Sequence, residues 1–228
     1  MPIELTWLGH APWLVTTSAG RLLVDPFLDE NPSASMRAVE VECDAILLTH
    51  GHFDHVADCV AIAKRTKAPV VANFEITQWL GKHGVSHCQP MNHGGRVKVP
   101  GGTAKMELAF HSSTLPDGSS GGNPGSFLLD LGGTRIFIAG DTSLFSDMER
   151  IGRAGLAAAI LPIGDVFTMG PEDAVEAVRL LRPKLALPSH YNTWPPIEQD
   201  AAAWAAAITS QKLADARVLA PGETTRVG

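Results

Sequence analysis

Residues 50–55 read His-Gly-His-Phe-Asp-His and follow directly on the apolar run Ala-Ile-Leu-Leu-Thr at 45–49. Three imidazoles and a carboxylate this close together are costly to bury unless a cation or a hydrogen-bond network satisfies them. The chain holds nine histidines in 228 residues, and at that abundance the spacing arises by chance on the order of once in a thousand such chains. The preceding run has the length and composition of a buried strand, so the motif lies where a strand gives way to a loop and then a helix. His50 and His52, two apart on extended chain, point to one side and can clamp a cation. Asp54 and His55 point differently and can serve a second one. Asp is also a favoured helix N-cap, so capping a helix that starts at His55 is the alternative role for Asp54. Imidazole and carboxylate without thiolate suit zinc, manganese, nickel or iron.

The rest of the chain alternates short apolar runs with helical patterns, the rhythm of layered α/β architecture. Strands are expected over 3–7, 13–16 and 21–24 as an antiparallel start, then over 44–49, around 70–71, and over 104–110, 126–131, 135–139, 156–161 and 184–188. Helices are expected just after the histidine motif, over 75–82, over 171–181 with Pro171 in its first turn, and over 199–211. At this length one domain is the natural reading, and no fixed-period repeat interrupts it. Residues 112–125 (SSTLPDGSSGGNPG) read as a polar, flexible loop, either a solvent linker or the cover of an active site.

Three distant residues share the placement of His50. His111, Asp141 and His190 each lie just past the carboxyl end of an expected strand, which is where layered α/β folds collect their ligand sites. Each also has a plain alternative, a satisfied polar residue for the histidines and a Gly-Asp-Thr turn for Asp141.

Composition narrows the function. Apolar residues make up 45% and charged residues 18%, enough for a sizeable core and too little charge for a disordered chain. The net charge of −6 without basic runs points to a small-molecule substrate and away from nucleic acid. Cys43, Cys59 and Cys88 show no paired spacing, which fits reduced, mostly buried thiols in a reducing compartment. Neither a signal-peptide pattern nor a stretch long enough to span a bilayer is seen, so a cytoplasmic protein without membrane contact is expected.

On these residues the chain resembles the metallo-β-lactamase superfamily: HGHFDH at 50–55, His111, GDT at 140–142 and His190 match its metal motifs in order and spacing. WLGHA at 7–11, VDPF at 24–27, FTMGPEDA at 167–174 and SHYNT at 189–193 look like its uncharacterised metal-dependent hydrolase branch, neighbour to the ascorbate-6-phosphate lactonases. The resemblance implies a four-layer αββα sandwich of two mixed sheets with helices on the outer faces. It also implies two divalent metal ions, most readily zinc, with His50, His52 and His111 on the first, Asp54, His55 and His190 on the second, and Asp141 bridging. The ions would activate a water as hydroxide to cleave a small ester, lactone or phosphodiester, with Asp54 or a water returning the proton and Asp141 holding both ions. No serine or cysteine nucleophile is required, and Ser189 is read as loop geometry.

Further from the ions, Asp25 would orient a ligand histidine, and His10 and His93 would lie near the pocket. Tyr191 and Asn192 would offer hydrogen bonds to an oxyanion. Thr168, Gly170 and Pro171 would place a helix N-terminus for an anionic substrate group. The rivals are a nuclease or phosphodiesterase of the same fold, a mononuclear iron dioxygenase, and a metal-binding sensor without turnover. A homo-oligomer is expected by resemblance, with Trp79 or Trp194 as exposed contacts.

Overall fold

The computed structural model describes residues 2–228. In chain order the strands are β1 Ile3–Trp7, β2 Trp13–Thr17, β3 Gly20–Val24, β4 Ala45–Leu47, β5 Val70–Asn73, β6 Cys88–Met91, β7 Arg96–Val99, β8 Gly102–Leu108, β9 Gly125–Leu131, β10 Thr134–Ile138, β11 Ala158–Pro162, β12 Leu185–Ser189, β13 Asp215–Ala216 and β14 Thr224–Val227. The helices are α1 Phe53–Val56, α2 Cys59–Thr66, α3 Phe74–Lys82, α4 Met148–Gly152, α5 Pro171–Leu181 and α6 Ala201–Ser210.

Two seven-stranded sheets form, in the orders β14-β1-β2-β3-β4-β5-β6 and β13-β12-β11-β10-β9-β8-β7. Both are mixed. In the first, β14 through β3 pair antiparallel and β3 through β6 parallel. In the second, β7 through β10 pair antiparallel and β10 through β13 parallel. The strict alternation of β1, with Ile3, Leu5 and Trp7 buried and Glu4 and Thr6 half-buried, turns one face inward. There it meets Phe127, Leu129 and Ile138 of the second sheet in one core. On the outer face of the first sheet, Leu23, Ile46, Val70 and Ala72 pack on Cys59, Ile62, Ile76 and Leu80 of α2 and α3. On the second sheet, α4, α5 and α6 bring Met148, Ala174, Val178 and Trp204 into the main core. The chain thus adopts the expected αββα sandwich.

Strand direction decides where the chemistry gathers. β1, β3 and β4 run alike in the first sheet, and β8, β10 and β12 run alike in the second. Their carboxyl ends lead into His10, Asp25, His50, His111, Asp141 and His190 in turn. Backbone bonds tie the two sheets together at this edge: Gly125 N donates to Thr49 O at 2.9 Å and His190 N to His10 O at 3.1 Å.

Several expectations shift in detail. The helix after the histidine motif is two helices, α1 and α2, and it starts at Phe53 with His52 as N-cap, so Asp54 does not cap it. The strand expected over 104–110 ends at Leu108, leaving His111 on irregular chain. Residues 112–125 are packed rather than a free linker. Leu115 is buried, Thr114 bridges Ser120, and Asn73 Nδ2 donates to the carbonyls of Gly121 and Asn123. Trp79 is buried too, its indole donating to Asp117 Oδ2 at 3.0 Å, so it is no exposed contact but an anchor for this loop. Cys43 and Cys59 are buried, Cys88 half-buried, and all three are free. No described helix is long and apolar enough to cross a membrane.

Gly140 shows how tightly the edge is built. It lies between β10 and Asp141 at φ +61, and a Cβ there would stand 2.7 Å from the Cβ of Thr49, the residue before His50. Gly140→Ala is expected to destabilise the fold by about 1–3 kcal/mol through left-handed strain and overpacking. Gly81→Ala, in α3 with open space around its Cβ, is expected to be neutral or stabilising by up to about 1 kcal/mol. Urea denaturation of the two variants checks the contrast, which equal midpoints would contradict.

Candidate metal centre

At the shared edge one buried carboxylate oxygen stands among four imidazoles. Asp141 Oδ2 lies 3.0 Å from His190 Nε2, 3.4 Å from His55 Nε2, 3.6 Å from His111 Nε2 and 3.9 Å from His50 Nε2. His52 Nδ1 closes the group on one side, 3.0 Å from His50 Nε2 and 3.3 Å from His111 Nε2. Asp54 Oδ2 closes it on the other, 3.4 Å from His190 Nε2 and 3.8 Å from His55 Nε2. All seven residues expected as ligands are therefore brought together.

The surrounding hydrogen bonds fix which ring nitrogens face inward. Asp25 accepts from the Thr49 backbone at 2.8 Å, from the Thr49 hydroxyl at 2.7 Å and from His55 Nδ1 at 2.9 Å. With its proton spent on Asp25, the Thr49 hydroxyl accepts from His50 Nδ1 at 3.0 Å. Both histidines thus carry their fixed proton on Nδ1 and turn Nε2 toward Asp141. His10 is completely buried, with Nε2 3.1 Å from Asp54 Oδ2 and Nδ1 2.7 Å from Thr193 Oγ1. A carboxylate only accepts, so a neutral His10 donates from Nε2 to Asp54 and takes the Thr193 proton on Nδ1.

Electrostatics divide the cluster. Burial pushes His50, His52 and His111 below the usual imidazole range, so these three are neutral lone-pair donors. Burial, helped by His190, pushes His10 down to about 4. Burial also lowers His55 and His190, but the adjacent carboxylates outweigh it. Asp141, Asp25 and Asp54 raise His55 well above 6.5, and Asp141 with Asp54 raises His190 to about 9. Burial raises Asp54 and Asp141, yet the facing histidines hold both far below the ordinary carboxylate range.

The donor set fits divalent ions. His55 Nε2 and His190 Nε2 are buried without a hydrogen-bond partner, although carboxylate oxygens stand within 4 Å. The rings aim at shared points rather than at one another. Two donors about 2.1 Å from a tetrahedral ion stand about 3.4 Å apart, the middle of the 3.0–3.9 Å spread around Asp141 Oδ2. The backbone is strained to achieve this: His10, Asp25 and His190 have φ of 58°, 47° and 54°.

The outer expectations divide. Asp25 and His10 touch the ligands as described. Tyr191 instead stacks on Trp7 at 5.3 Å between ring centroids, inside the core. Asn192 is exposed and accepts from Gln199 N, and Thr168 Oγ1 donates to the Met169 carbonyl. The left-handed φ at His190 and Asn192 turns the neighbours of a ligand away from it. His93 bonds the Pro124 carbonyl and lines a different cavity with Arg96, Lys105 and Arg150. Ser189 is occupied structurally, donating to His10 O and accepting from Trp13. Thr49 and Thr193, which hold His50 and His10, were given no role by sequence reasoning, although Thr193 closes the SHYNT motif.

The chain matches the family described as "Beta-lactamase superfamily domain" over residues 20–191. It is 49% identical over 225 residues to a UPF0173 metal-dependent hydrolase of Thermus thermophilus, covering 99% of each chain. It is 44% identical over 227 residues to another from Pelotomaculum thermopropionicum, covering 97% of this chain and 99% of the relative. Among solved structures, Igni18, described as a novel metallo hydrolase from the hyperthermophilic archaeon Ignicoccus hospitalis, matches at a TM-score of 0.90 and 33% identity, covering 99% of this chain and 98% of that one. A mixed-sheet sandwich, a His/Asp cluster at its edge and relatives matched along nearly their whole length make one assignment: the chain belongs to the metallo-β-lactamase superfamily, among its metal-dependent hydrolases.

Proposed function

We propose that the chain hydrolyses a small ester, lactone or phosphodiester with two divalent ions. His50, His52 and His111 would hold one ion, Asp54, His55 and His190 the other, and Asp141 both. The observation that carries this is the position of Asp141 Oδ2 among imidazoles from both groups. Zinc, manganese, nickel and iron all suit the donors. Bound ions of this kind supply a nucleophilic hydroxide at neutral pH and polarise the scissile oxygen.

The protein's own contribution is orientation and proton handling. Asp25 and Thr49 hold His55 and His50 in the tautomer that presents Nε2. Asp54 borders the open cavity above the cluster, and with His10 donating to its Oδ2 it stays anionic. It is thus placed to take the proton of the attacking water and pass it to the leaving group. Small-molecule substrates are favoured over nucleic acid because no lysine or arginine is among the residues lining the cavity.

Two outcomes follow. Thorough chelation is expected to abolish hydrolysis of a panel of p-nitrophenyl esters, lactones and bis-p-nitrophenyl phosphate, with recovery on adding zinc or manganese and a rate that rises with pH through about 7. Asp54→Asn is expected to lower kcat by about 10²–10⁴-fold. Hydrolysis that survives verified metal removal would contradict the mechanism.

The second outcome concerns protons. His55 and His190 are raised in the metal-free chain, so at pH 7 both are protonated and must lose those protons to bind an ion. Metal uptake at neutral pH is expected to release protons, mainly in the phase that fills their side of the cluster. Affinity is expected to fall as pH is lowered from about 9. Calorimetric titration in buffers of different ionisation enthalpy measures this, and pH-independent uptake would contradict it.

A further inference from the structure

We propose that the cavity above the metal centre selects a substrate by an uncharged apolar arm, aryl or branched alkyl, received by Phe53, Leu115, Pro116, Phe167 and Trp194. This rests on the hydrolase reading for the scissile group and concerns the part of the substrate that does not react.

The cavity holds about 600 Å³, inside the ~300–1,000 Å³ range of small-molecule pockets. Its floor is His52, Asp54, His111, Asp141 and His190, and its walls are apolar apart from Ser112 and Thr114. Phe53 and Phe167 are 52% and 58% exposed. Two large aromatic rings left that open at the mouth of a site mark a surface built to be covered.

The walls are fixed in place. Phe53 is the first residue of α1, one position before Asp54, and its ring packs at 5.7 Å on Phe27 and 6.1 Å on Trp194. Trp194 in turn lies against His10 at 4.9 Å. Leu115 and Pro116 sit on the loop that Asn73 and the Trp79–Asp117 bond anchor. Phe167 follows Asp165 and Val166, both left-handed at φ 60° and 47°.

Charge points the same way. The only charged groups outside the histidines on this surface are the carboxylates of Asp54 and Asp141. A charged or strongly polar arm would lose hydration among these walls with no cationic side chain to replace it. Neither Thr168 nor Pro171 lines the cavity, so the start of α5 offers no anion site there. An apolar arm displaces water from the aromatic walls and gains affinity with size.

The test holds the carbonyl end constant and varies the arm. Binding of butyramide, 4-phenylbutyramide and glutaramide, whose arm is polar but uncharged, to the metal-loaded chain is measured by calorimetry. The phenyl compound is expected to bind at least about tenfold tighter than either of the others. Phe53→Ser combined with Phe167→Ser is expected to reduce that preference to about twofold or less, whereas Phe74→Ser, an equally exposed phenylalanine outside the cavity, leaves it intact. Equal affinities, tighter binding of glutaramide, undetectable binding of the phenyl compound, or a preference that survives the double variant would each overturn the proposal. Hydrolysis of the matching p-nitrophenyl esters reads the other question separately. A bound phenyl amide without chelator-sensitive ester cleavage defeats the hydrolase reading and leaves the arm preference standing. Chelator-sensitive cleavage indifferent to the arm does the reverse.

Discussion

The structure depends on one electrostatic constraint: a buried carboxylate oxygen, Asp141 Oδ2, shares its surroundings with four imidazoles and a second carboxylate close by. In a low-dielectric edge such a cluster is costly unless its charges are balanced. Without a metal, protons on His55 and His190 offset part of the charge of Asp25, Asp54 and Asp141, while burial keeps His50, His52 and His111 neutral. Divalent ions are a better match, because each would displace those protons and take the lone pairs of several inward-facing ring nitrogens and carboxylate oxygens at once. The left-handed residues at the strand ends and Gly140 against Thr49 are the backbone cost of bringing the two sheets together there.

Most of this was legible in the chain because the informative features are periodic or dense. The apolar runs gave the buried strands of both sheets, and the HGHFDH cluster with three strand-end residues marked the side chains that meet at their shared edge. What stayed hidden has physical reasons. β6 carries Gln89 and Pro90 on exposed positions and β13 has only two residues, so neither has a core pattern to read, while β7 alternates Arg96, Val97, Lys98 and Val99 over only four residues. Tyr191 and Asn192 adjoin a ligand in sequence, but the left-handed turn at His190 sends one into the core and the other to solvent. Thr49 and Thr193 act through single hydroxyls whose role exists only once distant strands meet. Residues 112–125 looked unable to pack because their anchors, Asn73 and Trp79, lie elsewhere in the chain.

The same edge explains how one scaffold separates chemistry from recognition. The clustered histidines and aspartates lie at the strand ends and on α1, held by contacts inside the sandwich, whereas apart from Phe53 on α1 the apolar walls lie on the loop before β9 and on the turns after β11 and β12. Substitution of Leu115, Pro116 or Phe167 alters the surface offered to a substrate in segments that make no hydrogen bond to Asp25, Thr49 or His10. Aromatic walls and carboxylates beside the metal centre favour an uncharged arm over an anionic one, although two cations would still draw an anionic reacting group to the floor of the cavity.

The most direct measurement is anomalous diffraction from metal-loaded crystals, collected on both sides of the absorption edge of the added metal. Two peaks per chain are expected, one among His50, His52 and His111 and one among Asp54, His55 and His190, with the Asp141 carboxylate between them. A single peak at saturating metal, or a second peak away from Asp54, His55 and His190, would contradict the two-metal centre.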